Sequence, residues 1–442
     1  MKRHLPRRPS SPPAERPSDS RYYDPRDLEE ELRRTFQVCH ECRMCVGYCG
    51  SFPELFGRVD RDIEAGKAYG AEALTDHDFR VVSEECWQCK ICYIKCPYTK
   101  DDDASELLDF PRLMLREKAN HAKRNGVALV DQVLGEPETI GKLGSGSRAP
   151  AAKLIQKSRL LRKVQEAVTG ISADFELPPI AEEIAADWWK RHEPPIGAGD
   201  AGHVALFATC YGNYNSPEVV RAAVAVLEHV GYRVHLVSEG CCGMPNLDGG
   251  DVSRAVEKIE RGVASLRPLV EQGMKVLVPS ATCAYTMKHE WTEYLETPDC
   301  EAVAAATMDL MEFLEKRRRA KELPTEFGDG LGNVSYHAAC HLRAQKIGFP
   351  AARVLGKMIP DTQVKIIQEC SAVDGTWGMK AAHYETGRRY SKKLTEELGP
   401  DEPDLVVTDC SLSVLRIRQE TGHEALHPVQ ALAQAYGLES VK

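Results

Sequence analysis

Two short runs place four cysteines each at the same intervals. Cys39, Cys42, Cys45 and Cys49 lie in CHECRMCVGYC, and Cys86, Cys89, Cys92 and Cys96 lie in CWQCKICYIKCP. Three thiolates at two-residue gaps can hold three corners of an iron–sulfur cubane, with the fourth ligand coming from the other run. The spacing therefore assigns one [4Fe-4S] cluster to Cys39, Cys42, Cys45 and Cys96, and a second to Cys86, Cys89, Cys92 and Cys49. Structural zinc also takes four thiolates but commonly as two CxxC pairs, so zinc stands as the alternative. Gly50 replaces the proline that follows the last cysteine in the bacterial pattern, whereas Pro97 keeps it. The insertion between the runs is expected to add a helix or loop.

A second set of cysteines begins after residue 201. HVALFATC, RVHLVSEGCC and MKVLVPSATC each read as a strand running into a cysteine, and NVSYHAAC, VKIIQEC and DLVVTDC do so again. The intervals repeat: Cys210 to Cys241 is 31 positions and Cys340 to Cys370 is 30, then Cys241 to Cys283 is 42 and Cys370 to Cys410 is 40. Two copies of one unit follow, residues 201–314 and 332–442, joined by a charged connection at 315–331. Strands alternating with helices imply parallel sheets, whose ligands gather at the carboxyl ends of the strands.

In the first copy, a vicinal disulfide would use only Cys241 and Cys242. A metal centre uses Cys210, Cys241, Cys242 and Cys283 together, and an iron–sulfur cluster is expected there, with a thiol or disulfide redox site as the alternative. Gly243 allows a sharp turn and close approach of amides to the sulfurs. The second copy has only Cys340, Cys370 and Cys410, with Ser371 and Ala372 in place of Cys242 and Gly243. Three thiolates can hold a [3Fe-4S] cluster, or a [4Fe-4S] cluster with one open iron. His337, His341, Asp374 and Asp409 are near enough in sequence to supply a proton, a ligand or a hydrogen bond to a ligand; the first three are the candidate catalytic residues. Cys300 lies off the pattern and reads as an ordinary thiol.

The remaining composition sets bounds. The chain has 442 residues, 43% apolar and 28% charged, with 16 cysteines and a formal charge of -9. No excess of positive charge points to nucleic acid. No stretch is apolar enough to span a bilayer or to form a signal-peptide core, so clustered cysteines are read in a reducing, cytoplasmic setting. Residues 1–20 are basic, proline-rich and expected to be a disordered, solvated tail. Residues 21–110 hold the two tight runs, and 111–200 read as a helical linker. Within it Leu154, Leu161, Val164 and Val168 share one face with Lys153, Lys157, Arg162 and Lys163 around them. Such a helix suits a membrane surface, a partner subunit, or a connector packed on its own domains. The expected fold class is α+β and multidomain: a ferredoxin-like two-cluster module, the helical middle, and two repeated α/β cysteine-rich domains related by pseudo-two-fold symmetry.

At these motifs the sequence resembles the iron–sulfur electron-transfer subunits grouped around heterodisulfide reductase and anaerobic glycerol-3-phosphate dehydrogenase. The family pattern is a cysteine, then CCG, then a downstream CxxC. Cys210, Cys241, Cys242, Gly243 and Cys283 match it, with Ser280 at the first cysteine of CxxC. The second copy matches at Cys340, Cys370 and Cys410, with Val407 placed at the first cysteine of CxxC. YHAACHLRAQKIG and DGTWGMK look closer to the glycerol-phosphate dehydrogenase branch. The resemblance implies an accessory subunit that takes electrons from a flavin-containing dehydrogenase or oxidase, or a small redox protein such as a rubrerythrin, and passes them to a quinone or protein acceptor. It implies a location in the cytoplasm or peripherally on the inner face of the cytoplasmic membrane. Two alternatives stand: a reductase whose own active site is the second repeat, acting on a disulfide or quinone, and a zinc-stabilised scaffold.

Overall fold

The runs that lead into cysteines are short and rich in Val, Leu and Ile; HVALF, KVLV and LVVT are nearly continuous, the pattern of central parallel strands buried on both faces. A computed structural model, which describes residues 7–238, 240–373, 375–398 and 403–438, forms strands at all six. The backbone divides into two compact units: residues up to Gln132 with Asn246–Val252, and Val133–Pro245 with Ser253 onward.

The second unit is an α+β assembly of two separate sheets among helices. β1 (Gly202–Phe207), β2 (Tyr232–Val237), β3 (Lys275–Val278) and β4 (Thr307–Asp309) pair in the order β2-β1-β3-β4. β5 (Gly332–His337), β6 (Thr362–Ile367), β7 (Leu405–Thr408) and β8 (Ala425–Leu426) pair as β6-β5-β7-β8. Every pairing is parallel. β4 and β8, at three and two residues, are too short to show a period in the sequence.

One apolar cluster holds Val204, Leu206 and Leu277 of the first sheet together with Val334, Tyr336 and Val407 of the second. The helix Pro217–His229 packs on Pro428–Ala435, and Leu310–Arg319 packs on Pro350–Met358. These two contacts are one contact with the two sheet regions exchanged. Leu310–Arg319 runs into the segment expected to be a charged connection, and Asp309 caps it by accepting from the Met311 amide at 2.9 Å. Ser216 occupies the N-cap position of Pro217–His229 but makes no side-chain cap bond.

Pro428–Ala435 begins at a reciprocal cap. His427 Nδ1 accepts from the Val429 amide at 3.1 Å, and the His427 amide donates to Gln430 Oε1 at 2.9 Å. Acceptance needs an unprotonated ring, and burial holds the His427 pKa down to about 3. In the unfolded chain a histidine titrates near 6.5. The stability this group contributes is therefore full above about pH 6.5. It falls by up to about 1.4 kcal/mol per unit as the pH drops from there toward the folded value. Urea denaturation between pH 8 and pH 4 should show that slope in the wild type and a shallower one in His427→Asn, which keeps a capping side chain.

The middle segment departs from the connector expectation. Its helices Ala149–Lys157 and Arg159–Thr169 leave Leu154, Leu160, Val164 and Val168 exposed, each by more than half of its surface. The buried side is instead the polar one: Arg162 is 4% exposed and donates to the carbonyls of Ser172 (2.5 Å) and Phe175 (2.8 Å).

The first unit is helical. Pro25–Cys42 starts at Asp24, which accepts from the Arg26 and Asp27 amides, with Pro25 in the first turn. The insertion between the cysteine runs forms Ser51–Glu64 and Asp76–Glu84, the latter closed by a capping box of Thr75 and Asp78. Both feed an aromatic core: Phe36 meets Phe79 at 5.8 Å, and Phe52 meets Phe110 at 4.7 Å between ring centroids. The expectation of a solvated tail fails for residues 7–20. Arg7 pairs with Glu41 at 2.6 Å, the Arg34 guanidinium donates to the Arg7 carbonyl at 2.6 Å, and Ala14 is buried. Short-range composition cannot reveal partners that lie in another run.

Candidate metal centres

The last turn of Pro25–Cys42 presents Cys39 and Cys42, and the chain then reverses through Arg43 at φ 55°. The second run reverses similarly, with Gln88 at φ 52° and Lys90 at φ 62°. Non-glycine residues held in the left-handed region cost free energy that the surroundings must over-determine, a pattern common at ligand clamps. The result is that thiols crowd one another in two sets. Burial pushes the Cys39 thiol well up, and Cys96, Cys45 and Cys42 push it further. Cys45 is raised to about 12 by burial, Cys96 and Cys42. Cys49 is raised by burial, Cys86 and Cys89, and Cys92 by burial, Cys89, Cys49 and Cys86, with a smaller push from Cys45 of the other set. Each set thus draws one member from the opposite run.

Buried thiols that repel one another's charge resist ionisation until a cation is supplied, and a coordinating metal supplies it. That donor chemistry fits a cationic iron–sulfur core. Among the described residues, no three His, Cys, Asp or Glu side chains form a ligand set for one metal ion. Single-ion coordination needs sulfurs within about 2.3 Å of one centre, whereas a cluster spreads its ligands over separate irons. Two further residues carry no signal in the sequence: Gln88 Nε2 donates to Cys86 Sγ at 3.3 Å, and buried Lys90 donates to Gln88 Oε1 at 3.0 Å.

In the second unit the strand ends bring Cys210, Cys241, Cys242 and Cys283 together. Cys210 Sγ donates to Cys241 Sγ across 3.8 Å. Hydrogen bonds from Cys210 and Cys242 hold Cys241 well below the usual thiol range, while bonding to Cys241 and Cys283 raises Cys242. Trp291 Nε1 donates to the Cys242 carbonyl at 2.9 Å, and Gly243 turns at φ 86°. A buried cation, Lys258, also favours the thiolate at Cys210 and Cys241. It sits 3.4 Å from Glu136, far back along the chain, so no local pattern announces it. Lys258→Met should move the alkylation profile of these thiols in apoprotein to higher pH. Iodoacetamide labelling followed by peptide mass analysis reads this directly.

Around the second strand-end set, burial holds His337 down to about 4. Both of its ring nitrogens are engaged, Nδ1 with Thr408 Oγ1 at 2.8 Å and Nε2 with the Glu369 carbonyl at 3.1 Å. It is a neutral strut joining the ends of β5 and β7 to the segment before Cys370. His341 Nδ1 bonds Thr282 Oγ1 at 3.1 Å, and its ring stacks on Tyr285 at 5.1 Å. His341 therefore meets the helix that carries Cys283. Asp409 accepts from the Tyr336 hydroxyl, and burial together with Asp309 raises its carboxyl well above the ordinary range. Asp309 is itself raised to about 6, chiefly by burial. Asp374 lies outside the described residues. Cys300 is fully buried in the apolar cluster that also takes in Cys242 and Cys283, and burial raises its thiol to about 11.

Strand register corrects one assignment. Leu206 pairs with Leu277, and its counterpart Tyr336 pairs with Val407. Val407 is thus a strand residue equivalent to Leu277. Counting three onward, Cys410 is the counterpart of Ser280, and Ser413 is the counterpart of Cys283. Each repeat keeps a different half of the CxxC pair. Spacing alone misses this because it matches Cys410 to Cys283.

The first parallel sheet, with Cys210, Cys241, Cys242 and Cys283 collected at its strand ends, lies where a family relationship falls. Residues 204–288 match the cysteine-rich domain family designated CCG. The chain is homologous to subunits of redox enzymes, which supports a general electron-transfer role. It is similar to a subunit of the anaerobic glycerol-3-phosphate dehydrogenase of Escherichia coli K12, at 28% identity over 315 residues, or 69% of this chain and 76% of that one. It is also similar to a subunit of the fumarate reductase (CoM/CoB) of Methanothermobacter marburgensis, at 25% over 241 residues, 54% of this chain and 46% of that one. Lactate utilization protein A of an Exiguobacterium strain is 28% identical over 188 residues, 40% of this chain and 74% of that one.

Proposed function

We propose that this chain is the iron–sulfur electron-transfer subunit of an oxidoreductase complex. Cys39, Cys42, Cys45 and Cys96 hold one [4Fe-4S] cluster, and Cys86, Cys89, Cys92 and Cys49 hold the other. Cys210, Cys241, Cys242 and Cys283 hold a further iron–sulfur centre, and Cys340, Cys370 and Cys410 hold a [3Fe-4S] or open [4Fe-4S] centre. Such clusters, when bound, accept and release single electrons. The protein's part is to bury the thiols, fix their spacing, and set the local charge through Lys90, Lys258 and the hydrogen bond from Gln88. The observation that supports the reading most is the grouping of the two cysteine runs: beyond the effect of burial, Cys39 is raised by Cys96 from the other run, and Cys49 by Cys86 and Cys89.

The donor is a flavin-containing dehydrogenase or oxidase, or a small redox protein such as a rubrerythrin; the acceptor is a quinone or another protein. Among the described residues no helix is long and apolar enough to cross a membrane. The outward apolar face of Ala149–Lys157 and Arg159–Thr169, with Lys153, Lys157 and Lys163 beside it, supports peripheral attachment at the inner face of the cytoplasmic membrane. Anaerobic iron and sulfide counting with electron paramagnetic resonance (EPR) tests the proposal. The two cubanes alone should contribute about eight irons and eight sulfides per chain. Zinc in place of iron, with no acid-labile sulfide, would favour the scaffold reading and sink this one.

A further inference from the structure

The second strand-end set differs from the first by a defined exchange of sulfur for oxygen. In the first repeat the positions are Cys241, Cys242 and Gly243, with Gly243 at φ 86°; in the second they are Cys370, Ser371 and Ala372, with Ala372 at φ 49°. The loop after the second strand is one residue shorter in the second repeat, and in both repeats the cysteine sulfur accepts from the amide of a left-handed residue two places on, Gly243 for Cys241 and Ala372 for Cys370, which equates Ser371 with Cys242. Strand register equates Ser413 with Cys283. Cys242 and Cys283 are hydrogen-bonded through their thiols. Ser371 Oγ and Ser413 Oγ make the same contact at 2.8 Å, with Ser413 2% exposed and Ser371 9%. The two hydroxyls therefore fill the place of two thiols and bond to each other. They also remain at the site, since the Ser413 hydroxyl bonds the Cys410 sulfur. Cys370 Sγ accepts from the Ala372 amide at 3.2 Å.

We infer that Ser371 and Ser413 mark the open side of the second centre, where one iron has no protein thiolate and accepts a small soft anion from solution. This rests on the reading that Cys340, Cys370 and Cys410 hold an iron–sulfur centre. Neutral serine hydroxyls are hard donors, a poor match for iron already held by thiolates and sulfide, and here each is engaged with the other. With one proton each, spent on each other and on the Cys410 sulfur, they close off no coordination position of an iron on that side. Binding exchanges a water for the anion at that iron and transfers no electron.

Cyanide is the probe, applied to the full chain prepared anaerobically. In the wild type, the EPR signal that disappears in Cys340→Ala should shift on adding cyanide. The double variant Ser371→Cys/Ser413→Cys restores both thiols and should abolish the shift without losing iron. Ser371→Ala/Ser413→Ala adds no ligand and should keep it, which separates loss of an open site from loss of folding. An unshifted wild-type signal, or an equal shift in the double cysteine variant, would overturn the inference while leaving the electron-transfer reading intact. If Cys340→Ala changes neither iron content nor any signal, the second site holds no centre, and both the inference and that part of the proposed function fall.

Discussion

Cys96→Ala should remove the cluster bound by the first cysteine run while sparing the cluster of the run in which Cys96 itself lies. The expectation follows from the crossed sets: after burial, Cys96 is the next largest influence raising Cys39 and Cys45, and Cys92 is raised by burial, then by Cys89 and Cys49. A missing corner thiolate leaves three ligands and one labile iron, so the first cluster should be lost or reduced to a three-iron form. In anaerobic EPR spectra, Cys96→Ala should lose the same signal as Cys42→Ala, and Cys49→Ala the same signal as Cys89→Ala. Grouping by run instead, with Cys96→Ala matching Cys89→Ala, would reject the assignment.

Asp248→Asn should cost the first unit about 3–5 kcal/mol, the amount typical of breaking one partner from a buried ion pair. Lys118 Nζ lies 2.6 Å from Asp248 Oδ1, with both side chains 8% exposed, and donates to the Cys86 carbonyl at 3.4 Å. The amide keeps the shape but removes the charge that balances the ammonium. Native-state hydrogen exchange should accelerate through the helix Phe110–Asn125, and iron should be lost faster from the set containing Cys86. Lys118→Met combined with Asp248→Asn should recover part of the loss, because it removes the buried cation. An unchanged exchange rate in the single variant would show that the pair contributes nothing.

Six strands are legible in the sequence because each is a short Val-, Leu- or Ile-bearing run ending at a cysteine, although the edge strands Tyr232–Val237 and Thr362–Ile367 are largely not buried, and the cysteines are legible because cluster chemistry dictates their intervals. The helix face of Leu154, Val164 and Val168 is also legible, but periodicity identifies a face without saying whether it points inward. Lys118 and Lys258 are invisible there, since their partners Asp248 and Glu136 lie far away along the chain. The Ser280–Cys410 equivalence is hidden for another reason. A run of cysteines is naturally aligned sulfur to sulfur, whereas the fold aligns strand to strand. His337 suggests a proton carrier by its place beside Cys340, but its two hydrogen bonds and depressed pKa give it a bracing part.

Residues 246–252 complete the first unit although they follow the vicinal cysteines of the second. The protein is consequently interleaved along its gene. A fragment ended at Gln132 would be made without Asp248, and a fragment begun at Val133 would carry a heptapeptide belonging elsewhere. Dividing this chain at residue 132 would therefore part Lys118 from the Asp248 carboxylate that balances it.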